Sequence, residues 1–136
     1  MENQNSIFPK GGRTSTDYFT GPTWLYPLVP KDETGTFTVG SVSFEPGSRT
    51  NWHTHPLGQI LIVIDGKGFY QEKGKPARTI LKGDVVIIPS HVEHWHGAAK
   101  DTGMVHIAIT NIGKHGPVDW LAPVTEEDYI SCHSTR

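Results

Sequence analysis

The sequence predicts an all-β fold in a single domain, and three observations support this prediction. The 136 residues suit one domain and leave little room for a second. The 15 glycines and 10 prolines, set against a hydrophobic content of 35%, are typical of many short strands joined by many turns. Eight runs rich in β-branched and aromatic residues recur along the chain, which indicates an antiparallel sandwich or a closed barrel.

Residues 1–35 form the first predicted unit, an extended N-terminal arm. Turn residues interrupt this segment, and aromatic residues are spread along it. We therefore expect it to lie over the core, with room for an edge strand. Its polar start lacks the apolar stretch of a secretory signal, and the longest apolar run, ILIVI at 60–64, is too short to cross a bilayer. We expect a cytoplasmic protein.

Residues 36–120 form the second unit, the barrel, and residues 121–136 form a C-terminal segment. The predicted strands are 36–44, 52–55, 59–64, 68–72, 77–81, 85–89, 93–96 and 104–110. Asp65-Gly66 is a turn signal between the third and fourth of these strands. Thr125 precedes three acidic residues, a pattern that predicts the start of a short helix.

The charge pattern limits the partners of the chain. The formal net charge is −2, with acidic and basic residues interspersed. The sequence has no basic patch that would favour nucleic-acid binding and no block of like charges that would favour a membrane surface. We therefore expect a small-molecule substrate. Cys132 is the only cysteine, which excludes an internal disulfide, and we expect it to be a peripheral thiol.

Histidines are concentrated in the barrel segment. Six of the eight lie between residues 53 and 106: His53, His55, His91, His94, His96 and His106. Alternate side chains of a strand share one face, so the members of each His-X-His pair point the same way. Such a cluster favours a transition metal, which needs three or four ligands converging from separate strands. We expect His91, His115 and His133 to be ordinary hydrogen-bonded interior histidines.

Two stretches carry a resemblance to a known family. Residues 47–66, GSRTNWHTHPLGQILIVIDG, resemble the first motif of the cupin superfamily, and residues 83–94, GDVVIIPSHVEH, resemble the second. Three positions depart from the family pattern. Gln59 stands where Glu is usual, His91 where Gly is usual, and Ala98 where Asn is common. The resemblance implies a single-domain jelly-roll barrel.

The resemblance also implies one divalent metal ion inside the barrel. Its ligands would be His53, His55, Gln59 and His94. Three imidazoles and an amide bring no negative charge, so the ion would keep its full charge and act as a strong Lewis acid. Mixed nitrogen and oxygen ligands admit manganese, iron, nickel, cobalt or zinc.

A further likeness, from about Tyr18 to Tyr129, links the chain to the small bacterial cupins that act as hydroxynitrile lyases. It rests on the runs WHTHPLGQ, HWHGA and VDW and on the histidine strand 104–110. In that group the metal is typically manganese, and a histidine beside it handles the proton. The chain is also similar to cupins related to carboxymuconolactone decarboxylase partner domains.

The surroundings of the metal follow from strand parity. His96 and His106 would lie beside the open positions of the ion, where each could serve as a base. Thr50 could donate a hydrogen bond from its hydroxyl group. We expect an apolar pocket for an aromatic or short aliphatic substrate with one oxygen, lined by Phe19, Val42, Phe44 and Leu61.

Three functions fit these residues. The first is a metal-dependent lyase that splits a cyanohydrin into an aldehyde and HCN. The second is an iron-dependent dioxygenase acting on a small enol or phenol, and the third is a non-enzymatic sensor or storage barrel. Small single-domain cupins commonly pair through the outer sheet and the arm, so the resemblance implies a homodimer or homotetramer.

Overall fold

The structure, a computed structural model, describes residues 7–114 and 116–133. These residues form one curled sheet of twelve strands and two short helices. The strands are β1 (Gly12–Arg13), β2 (Phe19–Thr20), β3 (Thr23–Val29), β4 (Phe37–Phe44), β5 (Arg49–Thr50), β6 (His53–Thr54), β7 (Gln59–Glu72), β8 (Arg78–Leu81), β9 (Val85–Ile88), β10 (His94–Ala98), β11 (Met104–Asn111) and β12 (Asp119–Trp120). The helices are α1 (Lys31–Thr34) and α2 (Glu126–His133). The predicted all-β barrel with a short C-terminal helix is confirmed.

The sheet has two walls that share one strand. The first wall contains β1, β3, β4, β11, β7 and β9, and all of its pairings are antiparallel. The second wall contains β2, β5, β10, β6 and β12. It also contains β8, which pairs with β7 at the other edge of this wall. Strand β7 belongs to both walls, because its first half pairs with β11 and β9 and its second half with β10 and β8.

The predicted turn at Asp65-Gly66 is wrong. Residues 59–64 and 68–72 belong to one continuous strand of 14 residues, β7. Gly66 has a φ of 81°, a conformation that glycine adopts without the steric cost of a side chain, and the register of β11 shifts beside it, between Val105 and His106. The glycine therefore bends the strand from one wall into the other instead of ending it.

The N-terminal segment contributes more regular structure than expected. Strand β3 pairs with β4 along most of its length, and β1 lies outside β3 at the edge of the first wall. The one-turn helix α1 was not predicted. It follows the extended Pro30 and ends at Gly35, whose φ of 76° and N–H bond to the carbonyl of Lys31 close the turn.

Two apolar clusters stabilise the fold. The larger one fills the space between the walls, with Leu61, Ile80 and Val86 fully buried. The smaller one lies outside the second wall, where α2 packs on Trp95. Cys132 belongs to this outer cluster and is only 3% exposed, so the expectation of a peripheral thiol is wrong. A short helix near the end of the chain can still bury one of its sides, and the Cys132 thiol lies on the buried side of α2.

Helix α2 begins as the sequence predicts. The hydroxyl oxygen of Thr125 accepts a hydrogen bond from the backbone N–H of Asp128 at 3.1 Å, and three acidic residues occupy the first turn. Neither helix in the described part of the chain is long and apolar enough to cross a membrane.

Candidate metal centre

Five imidazoles converge inside the barrel. His53 lies on β6, directly opposite His94 of β10, and their ring centroids are 4.2 Å apart. His55 follows β6, with its ring centroid 4.9 Å from that of His53 and 5.3 Å from that of His94. His96 lies two residues beyond His94, and His106 reaches it from β11 with the centroids 4.8 Å apart. The predicted sharing of one face by each His-X-His pair is therefore seen.

Backbone carbonyls fix three of these rings. In each, Nδ1 is hydrogen-bonded to a carbonyl oxygen, so Nδ1 carries the proton and Nε2 is left with its lone pair. The pairs are His53 with Asn51 at 2.8 Å, His55 with Pro117 at 2.8 Å, and His94 with Val92 at 2.9 Å. The buried Nε2 atoms of His55 and His94 have no hydrogen-bond partner among the described residues. A metal ligand of this kind typically has its outer nitrogen held in this way.

Gln59 presents an oxygen in the same region. It begins β7, and its amide nitrogen donates a hydrogen bond to the hydroxyl of Thr110 at 2.8 Å. Its carbonyl oxygen Oε1 is buried without a partner among the described residues. An unpaired buried acceptor is costly, and a cation removes that cost. The donors of the predicted set thus fit a divalent ion that takes nitrogen and oxygen ligands.

A second group of histidine ligand atoms overlaps with the predicted set. One atom from each of His53, His94 and His96 lies within 4.8 Å of the others, which makes a three-histidine metal site possible in the described part of the chain. His55 is not one of the three histidines of that group. The predicted set and this one share His53 and His94.

His96 and His106 form a pair with its own hydrogen bond. Nε2 of His106 and Nδ1 of His96 are 3.1 Å apart. Nε2 of His96 and Nδ1 of His106 are buried and have no partner within the described residues. Each ring therefore keeps one nitrogen for a proton or a substrate.

Burial lowers the pKa of all five imidazoles. Desolvation is the largest cause throughout, and it brings the pKa of His94 and of His106 to about 4. Repulsion from neighbouring imidazoles also lowers the pKa of His53 and of His96, and burial lowers that of His55. At neutral pH the rings are uncharged, so their lone pairs are available to a metal or a proton.

The cluster opens into a cavity of about 640 Å³. Its walls are mostly apolar, and they come from the N-terminal segment, β4, β11 and β12. Of the predicted substrate residues, Phe19, Val42 and Thr50 line this cavity, whereas Phe44 and Leu61 are not among its lining residues. Thr50 already uses its hydroxyl to donate to the carbonyl of Asn51 and to accept from the backbone N–H of His96.

Phe44 and Leu61 lie behind the cavity wall. Both are fully buried in the larger apolar cluster. The ring of Phe44 packs against His106 and His96, with centroids 5.3 and 6.1 Å apart. Phe44 therefore packs against the histidine pair from the core and is not among the residues that line the cavity.

Two residues of the site were missed in the sequence. Trp120 lines the cavity with its ring centroid 4.7 Å from that of His53, and it stacks on Tyr18 at 4.8 Å. The VDW run contains it, but nothing in that run indicates which way the ring points. Thr110 shares strand parity with His106, and that parity was the available signal for it.

Two other described histidines, His133 and His91, do not belong to the cluster. His133 accepts a hydrogen bond from the backbone N–H of Lys100 and is hydrogen-bonded as expected. His91 is exposed, so the expectation of an interior residue is wrong. Its φ of 64° is the left-handed conformation of the glycine usual at this motif position. His115 lies outside the described residues.

Comparison with known proteins points to one family. The model of the cupin domain family matches residues 40–110. The chain is 45% identical over 118 residues to the (R)-mandelonitrile lyase of Granulicella tundricola, covering 87% of this chain and 90% of that protein. A cupin-like protein of Thermotoga maritima has a structure with a TM-score of 0.88 and 54% identity, over 93% of this chain and 96% of that chain.

A more distant structure supports the fold alone. The polyketide cyclase of Streptomyces resistomycificus matches with a TM-score of 0.65 and 15% identity, over 90% of this chain and 82% of that chain. At this identity the likeness concerns the arrangement of strands and not the chemistry.

Proposed function

This chain belongs to the cupin family, and we propose that it is a metal-dependent lyase that splits a cyanohydrin into an aldehyde and HCN. The observation that carries the proposal is a cluster of buried, uncharged imidazoles at one end of an apolar cavity, in a chain 45% identical to a mandelonitrile lyase. The relative supports an enzyme of the lyase class within the family. The reverse reaction would add cyanide to the aldehyde.

We assign the metal to His53, His55, Gln59 and His94, with manganese as the first choice and iron, nickel, cobalt or zinc as alternatives. The fixed Nδ1 atoms of the three imidazoles and the unpartnered amide oxygen support this set over one that includes His96. His96 has another imidazole as its partner, which makes it better suited to moving a proton. When bound, a divalent ion would act as a Lewis acid toward the substrate hydroxyl.

The histidine pair supplies the proton chemistry. The free nitrogen of His106 or His96 takes the hydroxyl proton, the oxygen electrons form the C=O bond, and the C–C bond breaks. Cyanide leaves with the electron pair of that bond and receives the proton, so HCN and an aldehyde are the products. Burial lowers the pKa of His106 to about 4, so the ring is uncharged at neutral pH and has a lone pair that can accept the hydroxyl proton.

The cavity favours an apolar substituent on the reacting carbon. Phe19, Val42 and Trp120 line it, so an aryl or short alkyl group replaces water there. The hydroxyl of Thr50 is committed to backbone atoms and helps to hold the main chain of β10. These residues position the substrate and exclude water from the histidine pair.

The direct test is cyanide release from mandelonitrile by manganese-reconstituted protein. We expect His106→Ala to lower kcat/KM at least 100-fold, because a base in the transition state typically contributes about that much or more. His91→Asn removes an exposed imidazole and is the matched control; it should keep the full rate. Unchanged rates in both His106→Ala and Gln59→Ala would overturn the mechanism. Oxygen consumption by the iron-loaded protein on a small enol or phenol would favour a dioxygenase instead.

A further inference from the structure

We propose that Thr110 is a positioning residue that holds the Gln59 amide with its oxygen toward the metal ligands. This inference rests on the proposed function, since it requires Gln59 to be a ligand. The two residues are direct cross-strand partners, Gln59 at the start of β7 and Thr110 near the end of β11. Both are buried and both line the cavity.

An amide is an ambiguous ligand, and a carboxylate is not. The two ends of a Gln side chain have nearly the same shape, but only the oxygen has a lone pair to give a cation. The NH2 group would place two hydrogens against the ion and against the lone pairs of the imidazoles. A Glu at the same position offers oxygen in either orientation. A chain with Gln at this position therefore gains from a fixed partner for the amide nitrogen.

Thr110 provides that partner. Its hydroxyl oxygen accepts the hydrogen bond from Nε2 of Gln59 at 2.8 Å. The result is an Oε1 atom that is buried and has no partner in the described part of the chain. Without the hydroxyl, the NH2 group would lose its acceptor and could turn toward the lone pair of His55, which is also unpartnered.

The test is manganese binding to the metal-free protein, measured by calorimetric titration with Mn(II). Thr110→Val keeps the shape of the side chain but has no acceptor, and we expect it to weaken Mn(II) binding about 10-fold or more, in the range found for residues that orient a ligand. Thr110→Ser keeps the hydroxyl and should stay within about 3-fold of the original affinity. Thr79→Val makes the same chemical change at an exposed strand position and should leave the affinity unchanged.

The Thr110→Val substitution in a Gln59→Glu protein distinguishes an effect on the orientation of the amide from an effect on packing. In Gln59→Glu protein either carboxylate oxygen can face the ion, so Thr110→Val should cost clearly less there than in the Gln59 protein. Equal losses in both backgrounds, or equal losses in Thr110→Val and Thr110→Ser, would overturn the inference. If Gln59→Ala leaves Mn(II) binding unchanged, the proposed ligand set fails. If Gln59→Ala weakens binding and Thr110→Val does not, only the role of Thr110 fails.

Discussion

At the scale of single residues, the site is defined by which nitrogen of each imidazole is already in use. Three backbone carbonyls hold Nδ1 of His53, His55 and His94, and each ring is left with Nε2 as its free atom. The resemblance to the cupin motifs identified the candidate ligands in the sequence, and strand parity placed the members of each His-X-His pair on one face. The carbonyl partners were not predictable, since they come from loops whose path the side-chain pattern does not encode.

The residues that line the cavity were harder to predict than the candidate metal ligands. Val42 lines the cavity, but Phe44 and Leu61, which were expected to line it too, lie in the packed core. A residue that points inward can face either the cavity or the packed side of the barrel. That choice depends on how the walls curl and not on local alternation.

The acid sensitivity of the metal-free protein should depend on His106. Burial lowers its pKa to about 4 from an ordinary value of 6.5, so between those values the unfolded chain binds a proton that the folded chain does not. The free energy of unfolding should therefore fall as the pH drops from 6.5 to 4, and this histidine contributes at most about 3 kcal/mol to the fall.

His106→Gln removes that contribution, so its free energy of unfolding should decline less steeply over the same pH range. Urea unfolding at a series of pH values measures the decline, and His91→Asn, which changes an exposed imidazole, should follow the original protein. Parallel declines in the His106→Gln variant and the original protein would count against the buried, uncharged state of His106.

At the scale of elements, glycine positions decide where the chain turns and where it bends. Asp65-Gly66 has the sequence of a hairpin turn, yet β7 continues through it and changes walls. A glycine with a positive φ can lie in a tight turn or at a bend in a long strand. Only the strand pairings before and after the glycine distinguish the two cases. The strands 36–44, 85–89 and 104–110 were predictable because their apolar runs have clear ends.

The loop between β9 and β10 stores backbone strain at His91. Its φ of 64° costs a residue with a side chain about 1–2 kcal/mol, and its N–H donates to the carbonyl of His55 at 3.0 Å. We expect His91→Gly to raise the free energy of unfolding by about 0.5–1 kcal/mol after allowing for the greater freedom of glycine in the unfolded chain. Thermal and urea unfolding measure the change.

His91→Ala is the matched control, because it shortens the side chain but keeps the steric cost of Cβ. The alanine variant should be no more stable than the original protein. A glycine variant that is no more stable than the alanine variant would show that the left-handed conformation at this position costs nothing.

At the scale of the whole molecule, the barrel brings distant parts of the chain to one place. The ligand candidates come from β6 and the loop after it, from β7 and from β10. The histidine pair comes from β10 and β11, and the aromatic wall from the N-terminal segment and β12. The jelly-roll fold was predictable from the family motifs and the strand spacing. The place of Trp120 in the cavity wall was not, because it depends on how residues far apart in sequence pack against each other.

In the proposed metal centre, His53, His55, Gln59 and His94 bind one ion, and His96 remains free for proton transfer. The most direct measurement is the Mn(II) affinity of metal-free His55→Ala and His96→Ala proteins, with His91→Asn as the control. We predict a loss of about 100-fold or more for His55→Ala and less than about 10-fold for His96→Ala. A large loss for His96→Ala with little change for His55→Ala would contradict the account and assign the ion to His53, His94 and His96.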